Sequence, residues 1–372
     1  MRRAGAFIAF AIALAVSVRP LPARQAAAAP VATPATFAAR VAALSEPGGY
    51  FDTDDLISNE RSYLHVVPAL RQAGLDGGAY IGVGPDTNFS YIAHTRPSIA
   101  FVIDLRRDNL LLHLLFKAIF AQSKTRVDYL GRLLGRAAPA DLEPWRKADA
   151  GLLVSYLDHA PPLDAAAAKA LRTALETTMR GFGVPLTPAD LQTIDRFHGE
   201  FEVQGLDLKL EIHGRGTPYY YPTYRDLLTE TDREGHQASY CASEEDFQFV
   251  RGLEVKDLVI PVVGDLSGAT AMRNIGRFMA ERGVTLGAFY TSNVEYYLFT
   301  AGSFQAFVDN VNALPHTGKS LIIRSAFVSA AAGMVPMLPG YGSASMVGRV
   351  EDLLAGVKSG RIRSYRDLVS GR

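Results

Sequence analysis

The chain has 372 residues, 48% apolar and 20% charged, enough for one large core or for one core with a smaller lobe. Its 38 basic and 38 acidic residues balance, and setting aside Arg2, Arg3, Arg19 and Arg24 of the basic N-terminus leaves 34 against 38. That balance gives no electrostatic reason to expect a nucleic acid or an anionic membrane as partner, and a single cysteine, Cys241, excludes an intrachain disulfide.

Residues 1–28 read as an export signal. Arg2 and Arg3 precede an uncharged apolar run from Ala4 to Val18, and Ala26-Ala27-Ala28 offers small residues at the cleavage positions. Fifteen apolar residues fall short of the ~20 that span a bilayer, so no stable membrane span is expected after cleavage; an uncleaved anchor is the alternative. The expected location is periplasmic or extracellular. A lead-in over 29–54 follows, Ala/Pro-rich to about residue 36, with a helix over 37–44.

The main domain is expected over 55–345. A helix is predicted from Arg61 to Gln72, with Asn59 and Glu60 at its start where a polar cap and an acid favour the helix dipole. Strand Ala79–Val83, helix Thr87–His94, strand Ile99–Ile103 and helix Leu110–Gln122 come next. Residues 124–197 are helical in texture and alanine-rich, and read as an inserted helical lobe. The alternation then resumes: strand Leu258–Val263, helix Ala269–Arg282, strand Leu286–Tyr290, helix Phe304–Ala313, strand Leu321–Arg324. The end, 346–372, is expected to be a helix from Met346 to Val357 and a polar tail. Short apolar strands alternating with helices predict an α/β fold of Rossmann type, a mostly parallel sheet covered on both faces.

Such sheets bind ligands beyond the carboxyl ends of their strands, and four stretches deliver polar groups there. Gly82-Val83-Gly84 follows the first strand; a glycine pair lets backbone N–H groups approach a ligand, or it makes a tight turn. Thr87 stands where G-x-G-x-x-G needs its last glycine, and Asp86 would repel a pyrophosphate, which argues against a dinucleotide. Asp104 ends the second strand, twenty residues beyond Gly84. An acid there accepts from ribose hydroxyls in nucleotide-binding folds, or it pairs with Arg106 or Arg107. Asp265 in "VIPVVGDLSG" and Ser292, Asn293, Glu295 and Tyr296 in "AFYTSNVEYYLF" are brought to the same edge. Ser58-Asn59-Glu60 contacts a ligand or caps a helix. Tyr219, Tyr220, Tyr221 and Tyr224 line an aromatic pocket, a surface hairpin or an interface.

The order "AYIGVGPD…FVIDLRR…PVVGDLSG…FYTSNVEYYLF", with "ISNERSYLHVVPAL" and "SEEDFQFV", resembles an uncharacterised bacterial family with a methyltransferase-like fold, typified by a Leptospira protein. The likeness spans most of 55–330. It implies a Rossmann-type S-adenosylmethionine methyltransferase scaffold, with Gly82, Gly84, Asp86 and Asp104 as cofactor-binding candidates, the glycines at the amino-acid part and Asp104 at the ribose. Asp265, Asn293 and Glu295 would then be the catalytic candidates that orient the acceptor, and Asn59, Glu60, Tyr91, Ser292 and Tyr296 the substrate-binding ones. The loop departs from the usual methyltransferase pattern at Tyr80-Ile81 and at Pro85-Asp86.

The expected function is small-molecule binding at this edge, with methyl transfer to a small molecule in view. The alternative is an exported, non-catalytic binding protein on a degenerate methyltransferase scaffold. An NAD-linked oxidoreductase is less supported, because the dinucleotide fingerprint is incomplete. The eight histidines show no H-x-H or H-E-x-x-H spacing, so no metal is expected. G-x-S-x-G and the P-loop motif are both absent. Cys241 reads as a small buried hydrophobe.

Overall fold

The computed structural model describes residues 36–331 and 333–370; the expected export signal lies outside the described residues. Six strands build one sheet: β1 Ala79–Val83, β2 Ile99–Asp104, β3 Val259–Val263, β4 Leu286–Ser292, β5 Leu321–Phe327 and β6 Ser343–Arg349. Their order is β3-β2-β1-β4-β5-β6. β1 to β5 run parallel, and β6 is antiparallel to β5. The fold is therefore α/β of Rossmann type with an antiparallel edge strand.

Physical cause and sequence agree closely here. β1 (AYIGV) and β3 (VIPVV) are buried at every residue, as strands covered by helices on both faces must be. The order reverses between β1 and β4, since the chain steps outward through β2 and β3 on one side and through β5 and β6 on the other. At such a reversal the connections leaving neighbouring strands diverge and open a crevice at the carboxyl edge.

Helix Arg107–Gln122 is buried continuously from Asn109 to Phe120. It packs on β3, on helix Ala165–Gly181 and on helix Pro188–Gln204, so it lies between the sheet and the helical lobe and is apolar nearly all round. The lobe contains four helices, Arg126–Leu133, Ala150–His159, Ala165–Gly181 and Pro188–Gln204. Thr125, Asp149, Asp164 and Thr187 cap them, each accepting a backbone N–H three residues on. The alanine-rich helix buries only Leu171, Leu175 and Met179, one stripe at i, i+4, i+8.

Two expectations need correcting. The helix expected from Arg61 begins as a 3-10 turn, Arg61–Val66, and becomes α-helical only over Val67–Ala73, where Pro68 occupies the first turn. The helix expected over Met346–Val357 starts at Val350; residues 343–349 are β6, paired to β5 along its whole length. Pairing with an open sheet edge outweighs the local helical pattern here. The inward hydroxyls of Ser343 and Ser345 add contacts to Ser62, 2.9 and 3.1 Å away.

Leu175→Ala, deleting the middle of the lobe's buried stripe, is expected to cost about 2–5 kcal/mol. Urea unfolding measures it, and a midpoint equal to wild type would show that the stripe does not anchor the lobe.

Candidate functional site

The first loop at the carboxyl edge serves its own structure. Gly82 is required because a Cβ there would lie 1.9 Å from Asn88 Oδ1 and 2.5 Å from the Tyr80 hydroxyl. Those two groups are bonded to each other at 2.8 Å, and Asn88 Nδ2 donates to the carbonyls of Val83, Gly84 and Pro85. Gly84 differs. Its φ of +79° needs glycine, and nothing lies within 4 Å of where a Cβ would sit. His113 Nε2 is 2.9 Å from the Gly84 carbonyl, and burial holds this imidazole neutral, with its pKa down at about 4.

Asp86 is buried under two tyrosines. The Tyr224 hydroxyl donates to Asp86 Oδ2 at 3.0 Å and that of Tyr240 at 3.3 Å. Burial pushes the Asp86 carboxyl up to about 7, against the pull of both hydroxyls. A cavity of about 10 Å³ lies between Asp86, Thr87, Ser90, Tyr224 and Tyr240, and Thr87 Oγ1 is buried without a partner. That is room for one water, with polar groups to hold it.

Asp104 is clamped. Its Oδ1 accepts from the backbone N–H of Arg106 at 2.8 Å and from Arg106 Nε at 3.0 Å, and its Oδ2 from Arg106 Nη2 at 2.8 Å. The same guanidinium donates to Asp55 Oδ2 at 2.9 Å and to the Thr53 carbonyl at 2.5 Å. Of the two readings of Asp104, the arginine pair is the one present. Asp55 has φ +48°, in the left-handed region, and burial lifts its carboxyl while Arg106 pulls it down.

S-adenosylmethionine does not fit these residues as they stand. The groups that the resemblance assigns to the cofactor are bonded within the chain, Asp104 to Arg106 and Asp86 to Tyr224 and Tyr240.

The centre of the edge, at the reversal between β1 and β4, is held by Glu60. This side chain is fully buried. Its Oε2 accepts from the Tyr290 hydroxyl at 2.8 Å and from Ser325 Oγ at 2.5 Å, and its Oε1 accepts from Ser292 Oγ. Burial pushes the carboxyl up, the three hydroxyls pull it down, and the Asp55 charge raises it further. Ser292 ends β4 at φ +53°, a conformation that costs a side chain about 1–3 kcal/mol. The β4–β5 register slips between Tyr290 and Ser292, as at a bulge that re-aims a side chain.

The remaining candidates divide. Asn293 stands at the start of helix Val294–Ala301, partly exposed, with its Oδ1 accepting from Ser292 Oγ at 3.4 Å. Asn59 is partly exposed and lies near Tyr221. Glu295 is buried in a two-pronged pair with Arg324, at 2.8 and 3.1 Å. Asp265 closes its own turn, accepting from the N–H and hydroxyl of Ser267, and its N–H donates to Glu46 Oε1 at 2.8 Å. Tyr91 is a core residue whose hydroxyl donates to the Tyr63 carbonyl. Tyr296 is 37% exposed and packs edge-on against Tyr297 and Tyr365. Cys241 is buried, and burial raises its thiol pKa strongly.

The structure thus brings Glu60, Ser292, Asn59 and Asn293 together and keeps Tyr91, Asp265 and Glu295 in structural roles. Asp55 and Ser325 lie at this edge outside every quoted stretch, while Tyr290 and Tyr297 stand inside one without being singled out, and Arg106 reads only as a possible partner of Asp104. Among the described residues, Asp232, Glu234 and His236 place ligand atoms within 4.8 Å of one another. Asp232 there closes a turn, accepting the N–H groups of Glu234 and His236. Among the described residues no helix is long and apolar enough to cross a membrane.

A family model described as a domain of unknown function (DUF7790) matches residues 56–148 and 210–344. No curated protein matches the chain. The matched parts contain Glu60, the glycine loop, Asp104, Ser292 and Ser325, and the stretch between them holds three of the lobe helices.

Asp86 sets a pH signature. Its folded pKa of about 7 lies above the ordinary 3.8, so the folded state keeps a proton that the unfolded chain has released. The stabilisation is full below about pH 4 and is lost as pH rises through about 7. Buried, neutral His113 contributes the opposite slope between its value of about 4 and the ordinary 6.5, so the variant is read against wild type. The stability of Asp86→Asn relative to wild type is expected to rise steadily from pH 4 to about pH 7, followed by melting temperature; a constant difference would refute the shift.

Proposed function

We propose, for a chain that belongs to this family of unknown function, that the protein binds a small polar molecule at the carboxyl edge of its sheet. The mouth is bounded by Asp55, Asn59, Tyr221, Ser292, Asn293 and Tyr297. All six are at least partly exposed; Ser292 Oγ lies 3.4 Å from Asn293 Oδ1, and the Asp55 charge acts on both Tyr221 and Tyr297. The observation that carries this reading is the meeting of two non-glycine residues in the left-handed region, Asp55 and Ser292, around one buried carboxyl. Strain of this kind persists where surrounding packing enforces it, and it gathers at binding and catalytic sites.

The aromatic groups suit a ligand with an apolar body and a polar head. Tyr297 is 43% exposed and meets Phe51 edge-to-face at 5.3 Å. A methyl donor is not part of this proposal, because Asp86 and Asp104 are satisfied from within the chain. Export, expected from residues 1–28, would also remove the protein from a cytoplasmic cofactor.

Isothermal titration with S-adenosylmethionine and S-adenosylhomocysteine is expected to give no heat; binding of either would restore the methyltransferase reading. A thermal-shift screen of polar metabolites is expected to yield ligands that raise the melting temperature of wild type and not that of an Asn59→Ala/Tyr297→Ala variant. Ligands that stabilise both equally would place binding elsewhere.

A further inference from the structure

Ser292 stands on a sharp connection from β4 to helix Val294–Ala301, with φ +53°. A nucleophilic serine in a strand-to-helix elbow adopts this kind of strained turn, which lifts its hydroxyl above the sheet. The chain reaches it without G-x-S-x-G: Tyr290 and Val294 occupy the two glycine positions. Ser292 is partly exposed, whereas Glu60 behind it is fully buried. One Glu60 oxygen is held by Tyr290 and Ser325, and the other receives the Ser292 hydroxyl. This is the arrangement of a nucleophile, its base and the groups that orient the base.

We propose that Ser292 and Glu60 form a nucleophile–base pair for acyl transfer from carboxylic esters, a reading that rests on the ligand site placed at this edge. Ser292 Oγ attacks the ester carbonyl carbon as its proton passes to Glu60 Oε1. The tetrahedral intermediate expels the alcohol, which takes that proton, and leaves an ester on Ser292. Water then attacks this acyl group, giving its proton to Glu60; collapse releases the carboxylic acid, and the proton returns to Ser292. The sum is ester plus water to acid plus alcohol. Helix Val294–Ala301 starts with no side-chain cap, and while the Tyr296 N–H donates to the Asn293 carbonyl at 3.1 Å, those of Val294 and Glu295 are available to an oxyanion. Its early acid, Glu295, is neutralised by Arg324. Tyr290 and Ser325 are positioning residues.

The neighbouring surface selects the substrate class. Tyr221 and Phe327 lie 6.5 Å apart, ring to ring, and the β5–β6 connection carries the partly buried Met334, Val335 and Met337. An ester with an apolar acyl group suits these walls better than a charged one.

The full chain is assayed with 4-nitrophenyl butyrate and labelled with diisopropyl fluorophosphate, and binding is measured separately with 4-nitrophenyl butyl ether, which has no carbonyl. Wild type is expected to hydrolyse the ester and to carry the label on Ser292. Ser292→Gly, which removes the hydroxyl and relieves the positive φ, is expected to stay folded, the relieved strain offsetting the lost bond to Glu60, while hydrolysis drops about 1,000-fold or to the uncatalysed rate. Glu60→Gln is expected to lose both label and turnover. Ser325→Ala, by removing a donor from Glu60, is expected to move the rise of the pH–rate profile to higher pH. Hydrolysis that survives in Ser292→Gly overturns the pair. Ether binding without hydrolysis overturns acyl transfer and leaves the ligand site standing; neither binding nor hydrolysis overturns both.

Discussion

A carboxyl group with no contact to solvent must find its donors inside the protein, and the whole carboxyl edge is arranged around that requirement at Glu60. Its partners are Tyr290 and Ser292 on β4 and Ser325 on β5, all more than 200 residues away in the chain. Ser325 passes the network to Ser345 at 3.0 Å, and Ser345 to Ser62, so the ring closes one turn of chain from where it began. Hydrogen bonds to a charged group contribute about 1.5–3 kcal/mol each, and losing one strands its buried partner. The network therefore fixes the 3-10 turn at 61–66, the ends of β4 and β5 and the pairing of β6 as one unit. The left-handed Ser292 is held in place by the same bonds.

The β1–β2 side of the edge obeys a different electrostatic rule. Asp104 occupies the position that a nucleoside-binding sheet would use, yet it and the acids near it are matched from within: Asp104 and Asp55 by one guanidinium, Asp86 by two phenols. The Arg106 pKa rises under its two carboxylates despite burial, which makes this clamp costly to open. Strand order and residue spacing are compatible with several ligands, and the local partners choose among them.

These partners also explain what could be read in advance. The five parallel strands and most helices were legible because continuous apolar runs and capping residues act locally. Helix Glu244–Val255 carries such a signal as well, with Ser243 capping it and three acids in its first turn, although its acidic start hid it. β6 was misread because its strand character comes from β5, not from "SASMVGR". At the site, Asp104 and Arg106 are two residues apart, so their pairing was visible as one of two options. Glu60 with Ser292 and Ser325 was not, since nothing local announces a contact across 232 or 265 positions. Asp55 and Ser292 were harder still. Local rules place glycine, and less often asparagine or aspartate, at positive φ, so Ser292 above all violates the pattern that makes other turns readable, as is expected where a chain serves something other than its own folding.

The segment 45–60, of which only Ser58-Asn59-Glu60 stood out in the sequence, builds much of the edge. Glu46 bonds the N–H groups of Asp265 and Ala271, Gly49 donates to the Leu105 carbonyl, and Thr53 offers its carbonyl to Arg106. The strap is thus fastened at β3, at β2 and at the arginine clamp before it delivers Asp55, Asn59 and Glu60 to the reversal point. Asp54 adds a tie to Arg196 of the lobe. A strap pinned at so many points has little freedom to reorganise, so Asp55 and Ser292 keep their strained geometry without help from a ligand. Groups held this way bind or react without first spending energy on ordering. That gives the edge its character: the sheet supplies the position of the crevice, while a segment outside the α/β alternation supplies its rigidity and much of its chemistry.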